Sequence, residues 1–152
     1  MSARSKSAGL LAVVLLTVSA VGIVLWPSAD RVPPIDPGDR QQVALGEGIY
    51  RSHCASCHGA ELEGQPNWRS RLPSGRLPAP PHDETGHTWH HPDEVLLSIV
   101  KQGPAFYQSL RVQTDMPAFG GVLSDVEIAA VLAFIKSRWP AEIRARQART
   151  AR

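Results

Sequence analysis

The stretch HCASCHG, residues 53–59, contains both cysteines of the chain, and a histidine directly follows the second one. This C-x-x-C-H spacing is the attachment signature of a c-type haem. The two thiols can reach the two vinyl groups on one edge of a porphyrin and form thioethers, and the imidazole can ligate the iron from the proximal side. We therefore predict one covalent haem c, bound through Cys54 and Cys57, with His58 as an axial ligand.

Three other uses of a C-x-x-C pair fit this chain less well. A thioredoxin-like redox pair follows a strand of a βαβ unit, and no such strand is predicted before Cys54. A zinc site needs two further ligands at a regular spacing, which the adjacent His90 and His91 do not supply. A disulfide across two intervening residues would close a small and strained loop. Haem attachment remains the best interpretation.

The length and the charge pattern predict one modest folded domain. A chain of 152 residues is large enough to build a core around a flat cofactor. Its aromatic content of 6% is low, which suits a domain whose centre is partly filled by a macrocycle. The formal charge of +2 comes from the two ends, since acids outnumber bases between residues 27 and 140. Nothing in this pattern indicates a nucleic-acid surface.

The N-terminal part of the chain is predicted to cross a membrane. Residues 1–8 carry Arg4 and Lys6 but no acid, and residues 9–26 form an uncharged apolar run. As a helix rising ~1.5 Å per residue, that run is about 27 Å long, close to the ~30 Å of a hydrocarbon core. The preceding basic residues predict a cytoplasmic N-terminus. The alternative is a signal peptide cleaved after Val18-Ser19-Ala20, although cleavage there would leave an apolar stub.

Residues 27–38 contain four prolines and little that could pack, and we predict a semi-extended tether there. Asp39 follows as a predicted N-cap. Gly46 and Tyr50 then lie on one stripe of a helix that leads into the haem motif. A glycine in mid-helix costs roughly 1 kcal/mol against alanine, so another helix is expected to approach closely.

Two further helices are predicted from their end signals. The sequence His91-Pro92-Asp93-Glu94 opens a packing helix that ends near Gly103. Ser124 and Glu127 form a capping box for a longer helix, which Pro140 interrupts. Residues 141–152 are a basic tail, for which three interpretations remain: a solvated helix, a frayed end, or a docking element for anionic lipid or an acidic partner.

The chain resembles the class I c-type cytochromes, of the membrane-anchored bacterial kind with one haem. The resemblance covers about residues 39–139 and rests on the helix running into CASCH-Gly59, on Met116-Pro117, and on the closing helix. It implies an all-α domain, residues 39–140, of three to five helices around the haem, with His58 as the proximal ligand. It also implies that the first and last helices cross closely, that the domain is exported, and that it transfers single electrons.

Met116 is the only methionine besides the initiator, and it lies in a loop before Pro117. A thioether is a soft, neutral ligand that favours Fe(II) and raises the potential. A methionine that merely fills a gap in the core is the other interpretation. The loop position, and the place of the axial methionine in the family it resembles, favour Met116 as the distal ligand.

Residues 61–88 are rich in glycine, proline and polar residues, and they are predicted to form a loop. In class I cytochromes a proline carbonyl in this region accepts a hydrogen bond from the proximal histidine and fixes its orientation. The candidates are Pro66, Pro80 and Pro81, and the last two are favoured.

Residues 81–91 hold four of the six histidines, and three interpretations remain open. They could bind a second metal, but no pair combines an i,i+4 spacing with a third ligand. His82 or His87 could replace Met116 on the iron. The preferred interpretation is structural, with the histidines hydrogen-bonded near the haem edge and Trp89 donating to a propionate.

These features predict a single-electron carrier rather than an enzyme, without a small-molecule substrate. Its expected partners are an electron donor and an acceptor of the respiratory chain, at the outer, periplasmic face of a bacterial inner membrane. The alternatives are an electron-transfer subunit of a dehydrogenase or oxidase complex and, less favoured, a haem sensor with a labile Met116.

Overall fold

The computed structural model describes residues 32–108 and 113–150, and the regular secondary structure in this part of the chain is helical. The α-helices are α1 (Arg40–His53), α2 (Ala55–His58), α3 (Asp93–Gln102), α4 (Pro104–Tyr107), α5 (Asp125–Ser137) and α6 (Ala141–Gln147), with a 3₁₀ turn at Thr88–His90. The predicted all-α class is confirmed. The described residues contain more helices than the three to five predicted, because α2 and α4 are single turns of four residues.

Residues 32–38, which precede α1, contact the domain, whereas the sequence predicts a semi-extended tether there. Asp39 caps α1 by accepting from the backbone N–H of Gln41 and Gln42. The Gln42 side chain reaches back further, accepting from Asp36 N at 2.8 Å and donating to Pro34 O at 3.0 Å. Ile35 packs against the core. Residues 32–38 therefore fold back on the domain, because one apolar side chain and one glutamine give them something to bind.

The central contact of the domain is the crossing of α1 and α5. Gly46 is buried in this crossing, and a Cβ built on it would overlap the carbonyl of Ala130. The close approach predicted from the mid-helix glycine is therefore confirmed. Two helix backbones can touch in this way only where one of them has no side chain.

Helix α5 forms the middle of the core. Ser124 and Glu127 make the full reciprocal capping box at its N-terminus. The helix is buried continuously over residues 128–136. The sequence pattern predicts burial of one apolar stripe only, so the helix is more deeply buried than predicted. Trp139, which follows it, is only 1% exposed and donates from Nε1 to His82 O at 2.7 Å. The closing helix thus connects α1 to the histidine-rich segment.

Helix α6 docks on the domain, which differs from the predicted free tail beginning at residue 141. Gln147 is 3% exposed, and its Nε2 donates to His91 O at 3.2 Å and to Asp93 Oδ1 at 2.7 Å. The Arg146 guanidinium lies 4.6 Å from the centre of the Trp89 ring. Lys136 also pairs with Asp93, at 2.8 Å. The chain turns at Pro140, and α6 remains packed on the domain.

The predicted membrane helix, residues 9–26, lies outside the residues that the structure describes. Among residues 32–108 and 113–150, no helix is both long and apolar enough to span a bilayer.

Replacing Gly46 with alanine should destabilise the holoprotein by about 2–3 kcal/mol, because the new methyl group meets the Ala130 backbone, which cannot move aside alone. Gly48 is the matched control. It lies in the same helix with nothing near its Cβ position, so Gly48→Ala should gain about 1 kcal/mol from helix propensity. Guanidinium unfolding of the ferric protein measures both. Equal effects of the two substitutions would contradict the close crossing.

Candidate haem-binding site

The haem motif is held at the end of α1 by a buried tyrosine. Tyr50 is fully buried, and its hydroxyl donates to Gly59 O at 2.9 Å. Burial raises the pKa of this phenol, so it stays protonated and remains a donor. The Cys54 N–H donates to Tyr50 O at 2.8 Å, and α2 then carries the chain to His58 in a single turn. Both ends of the motif are thereby fixed to one residue of α1.

A cavity of about 290 Å³ opens beside the motif. Both cysteines and His58 line it, and so does Met116 from a distant part of the chain. Most of the remaining wall is apolar. Its larger apolar side chains are those of Leu72, Leu77, Leu96, Ile99, Val100, Phe119, Leu123, Val131, Leu132 and Ile135.

The His58 ring is oriented by the loop that follows the motif. His58 is buried, and its Nδ1 lies 2.8 Å from Pro80 O. A carbonyl oxygen only accepts, so Nδ1 carries the hydrogen and Nε2 keeps a free lone pair. Burial lowers the pKa of His58, which favours the neutral imidazole that a metal requires. Of the three prolines proposed for this role, Pro80 makes the bond.

Two glycines allow the loop to bring Pro80 to His58. A Cβ on Gly64 would overlap the backbone of Pro81, and one on Gly86 would overlap the Pro81 carbonyl. Gly64 also has a positive φ of 68°. Pro81 is therefore buried as a packing residue beside the acceptor, rather than serving as the acceptor itself.

His82 lies against His58, a contact that spacing alone does not reveal. Its ring stacks on that of His58 with centroids 4.0 Å apart, and its Nδ1 is 2.9 Å from Thr88 Oγ1. Burial, with smaller contributions from His58 and His87, holds the pKa of His82 well below its usual range. The stacked ring of His82 supports the orientation of the His58 ring. The available signal was the position of His82 directly after the two prolines.

The loop that carries Met116 is tied to the loop that carries Pro80. Leu77 and Thr114 form an isolated parallel bridge, in which Leu77 N donates to Gln113 O at 3.3 Å. Arg76 and Asp115 form an ion pair alongside it. The Met116 N–H donates to Thr114 Oγ1 at 3.1 Å. These contacts bring Met116 to the cavity wall, and its role as the distal ligand remains a prediction.

The other histidines of residues 81–91 contact aromatic rings. His87 stacks on Trp68 at 5.4 Å and meets His91 edge-to-face at 5.6 Å, while His90 stacks on Trp89 at 3.7 Å. His87 and His91 line the cavity, and Trp89 does not. No cluster of three or more metal-binding side chains occurs in the described parts of the chain.

Trp89 is used differently from the prediction that it donates to a haem propionate. Its Nε1 donates to Glu84 O at 3.2 Å, and its ring is 8% exposed. An indole has one N–H, so this bond occupies its only donor. The ring stabilises the turn between Glu84 and His90 instead of reaching into the cavity.

The site fits a covalent haem. Both thiols are unpaired rather than joined in a disulfide. The wall is apolar, as a macrocycle requires, and His58 presents a neutral nitrogen of fixed orientation. When bound, the haem supplies a one-electron Fe(III)/Fe(II) couple. A helical domain with these residues around one cavity defines the class as a c-type cytochrome, a protein of electron transfer.

The comparisons with known proteins agree with that class. The model of the family described as cytochrome c oxidase, cbb3-type, subunit III matches residues 41–135, and the chain belongs to this family. Cytochrome c-555 of Prosthecochloris aestuarii is 27% identical over 107 residues, which cover 64% of this chain and 88% of that protein. No solved structure matches the chain. These matches confirm the predicted cofactor, one covalent haem c at Cys54 and Cys57.

Tyr50→Phe should destabilise the ferric holoprotein by about 1 kcal/mol, because it removes the hydroxyl that donates to Gly59 O and leaves that carbonyl only the longer bond from Leu62 N, at 3.3 Å. Ser52→Ala removes a hydroxyl from the exposed face of the same helix and should change stability by less than about 0.5 kcal/mol. Guanidinium unfolding followed by the haem absorbance compares the two. A Tyr50→Phe protein as stable as Ser52→Ala would contradict the proposed anchoring role.

Proposed function

We propose that this cytochrome is a single-electron carrier whose iron is ligated by His58 and Met116. It would pass electrons between redox protein partners of the respiratory chain, at the outer face of a bacterial inner membrane. The observation that carries the proposal is that His58 and Met116, far apart in sequence, line one cavity with the two haem-attaching cysteines.

The ligand pair decides what the haem can do. His58 is already fixed by Pro80 O, and the loop ties at Leu77–Thr114 and Arg76–Asp115 support the position of Met116. With both axial positions taken, the iron has no open position for a substrate, which favours electron transfer over catalysis. We therefore propose that the protein has no enzymatic activity of its own.

Electrons would enter and leave where the thioether edge meets solvent. Cys57 and the neighbouring Ser56 are exposed, whereas Cys54 is half-buried. A partner protein that covers this edge comes within short range of the macrocycle without any opening of the domain. The axial ligands can remain in place during transfer, so little reorganisation is needed.

Attachment to the membrane is proposed from the sequence of residues 1–38. The uncharged run 9–26, preceded by Arg4 and Lys6, would anchor the chain with its C-terminal domain in the periplasm. The proline-rich residues 27–38 would tether the domain to this anchor, and within them Ile35 packs on the core. The domain would therefore stay near the bilayer surface.

A second candidate function is a fixed electron-transfer subunit of an oxidoreductase complex. The match to a family described as an oxidase subunit favours it. Mild detergent extraction followed by native gel electrophoresis with haem staining separates the two. A free carrier should migrate as a small species, whereas a subunit should co-migrate with an oxidase activity.

Met116→Ala should open the sixth position of the iron. The variant should become high-spin, bind carbon monoxide when reduced, and have a lower midpoint potential, because the soft thioether no longer favours Fe(II). Met116→His supplies a second imidazole, so it should stay low-spin and also have a lower potential. Optical spectra and potentiometry measure all of these. An unchanged low-spin spectrum and potential in Met116→Ala would refute the axial role.

Native protein should remain in the membrane pellet after an alkaline carbonate wash, because a spanning helix is not released by removing peripheral contacts. The intact mass of the purified holoprotein should include residues 9–26. A soluble periplasmic protein whose mass begins after Ala20 would instead establish the cleaved signal peptide.

A further inference from the structure

We propose that residues 64–81, here called the arginine loop, are the docking surface for an acidic redox partner protein. The proposal rests on the proposed function, because only a protein that exchanges electrons with other proteins needs such a surface.

The arginine loop is the cationic part of an acid-rich domain. It contains Arg69, Arg71 and Arg76 and no acid, whereas acids outnumber bases over residues 27–140 as a whole. All three arginines are exposed. Arg76 pairs with Asp115, but neither Arg69 nor Arg71 has an acidic partner among the residues that the structure describes. Two exposed arginines of one loop are therefore without an ion pair.

The loop lies where the haem cavity meets solvent. Among the described residues, seven both line the cavity and are exposed, and we call them the rim residues: His53, Cys57, Gln65, Leu72, His87, Asp115 and Pro117. Gln65 and Leu72 belong to the arginine loop. The N–H of Gly64, the first residue of the loop, donates to His58 O at 2.8 Å. The loop thus begins at the haem motif and continues along the rim of the cavity.

Arg71 is held beside the rim by a tight turn. Its neighbour Leu72 lines the cavity and is 44% exposed. The Leu72 N–H donates to Arg76 O at 2.9 Å, and Leu72 O accepts from the Gly75 N–H at 2.8 Å. Arg71 Nη1 donates to Gly75 O at 2.6 Å, across the same turn. Arg71 is therefore an ordered cation next to an exposed apolar side chain, and arginine is enriched in protein interfaces.

Arg69 is presented on a supported aromatic ring. Its guanidinium lies 4.0 Å from the centre of the Trp68 ring, and Trp68 stacks on the rim residue His87 with ring centroids 5.4 Å apart. Arg69 Nη2 also lies 3.5 Å from Thr85 O. Tryptophan and arginine are among the residue types most enriched at the energetic centre of protein interfaces. This end of the loop therefore also has the composition of a contact surface.

The acids on either side of the loop are directed toward other groups. The Glu63 carboxylate accepts from Glu61 N at 2.8 Å, and Asp83 Oδ1 accepts from Thr85 N at 2.8 Å. Histidines apart, the loop and the rim residues together hold two charges without an ion pair, those of Arg69 and Arg71. A partner that covers the rim therefore meets a positive surface, which an acidic surface complements.

An acidic protein fits this surface better than an anionic bilayer does. Electron-transfer interfaces are small, with roughly 600 Å² or less buried on each partner, which is a patch roughly 28 Å across. The cavity, at about 290 Å³, is small beside such a patch. A partner seated on the exposed Cys57 therefore also reaches the arginine loop. A bilayer on the same loop would cover the rim and exclude a redox partner from it.

The test is stopped-flow oxidation of the reduced full-length holoprotein, in detergent, by two reagents of opposite charge. Oxidation by the anion ferricyanide should slow as salt is raised, and oxidation by the cation tris(phenanthroline)cobalt(III) should quicken, because salt screens attraction and repulsion alike. Arg71→Gln should slow the ferricyanide reaction at low salt about threefold, and Arg69→Gln/Arg71→Gln about fivefold or more. Arg71→Lys keeps the charge and should keep the wild-type rate.

The matched control is the double variant Arg40→Gln/Arg149→Gln. It loses the same two charges, and both arginines are exposed, lie off the cavity wall and form no ion pair in the described part of the chain. Its ferricyanide rate should stay within about 1.5-fold of the wild type. A wild-type rate that does not fall with salt overturns the proposal, and so does a loop double variant that matches this control.

Poly-L-glutamate tests the class of partner, because it is an acidic polypeptide without a redox centre. It should slow the ferricyanide reaction of the wild type by covering the loop and should have little effect on Arg69→Gln/Arg71→Gln. Equal slowing of both proteins overturns the proposal.

Nanodiscs of phosphatidylcholine, with and without phosphatidylglycerol, test the bilayer as the occupant. The effect of the loop substitutions on the ferricyanide rate should persist in both. If it disappears only when phosphatidylglycerol is present, the loop binds lipid and the proposal is overturned.

Failure of the docking surface is distinguishable from failure of the carrier function. Fast oxidation, a low-spin spectrum and resistance to carbon monoxide, without any dependence on the two arginines, would overturn the docking surface alone. Slow oxidation of the wild type by both reagents, or carbon monoxide binding to its reduced form, would overturn the carrier function.

Discussion

The hydrogen bond between His58 Nδ1 and Pro80 O, at 2.8 Å, is the interaction on which the rest of the site depends. It sets the tautomer of His58 and orients the free Nε2 of that ring, and it also fixes the loop that follows the haem motif. From that loop, Leu77 pairs with Thr114 and places the Met116 segment. In the other direction, His82 stacks on His58. A single bond thus relates both sides of the cavity to the attachment motif.

The helices give this loop a rigid frame. The contact of Gly46 with the Ala130 backbone brings α1 against α5, and Tyr50 extends that order to Gly59. The Trp139 indole N–H donates to His82 O and so connects the helices to the histidine-rich segment. Each link is a partly buried hydrogen bond from a buried side chain or a close backbone contact, and such contacts tolerate little displacement. The cavity is consequently shaped by the fold, although much of its wall comes from irregular chain.

The histidines that line the cavity differ in their burial and in the residues that they contact. His58 is buried and His82 is half-buried, and burial lowers the pKa of both imidazoles, which favours their neutral forms. His87 and His91 also line the wall, where His87 stacks on Trp68 and Gln147 of α6 donates to the His91 carbonyl.

The sequence by itself determined the cofactor and the main helix ends, because each depends on local chemistry, and its resemblance to class I c-type cytochromes implied the all-α class. Two thiols and an imidazole at fixed spacing specify haem attachment, and Ser124 with Glu127 specifies a helix start within one turn. Only the tertiary structure decided which proline orients His58, where the Trp89 N–H is used, and that Ile35 and Gln147 pack on the domain. Those outcomes depend on contacts between residues that are distant in sequence. No local sequence pattern predicts the course of the loop that brings them together.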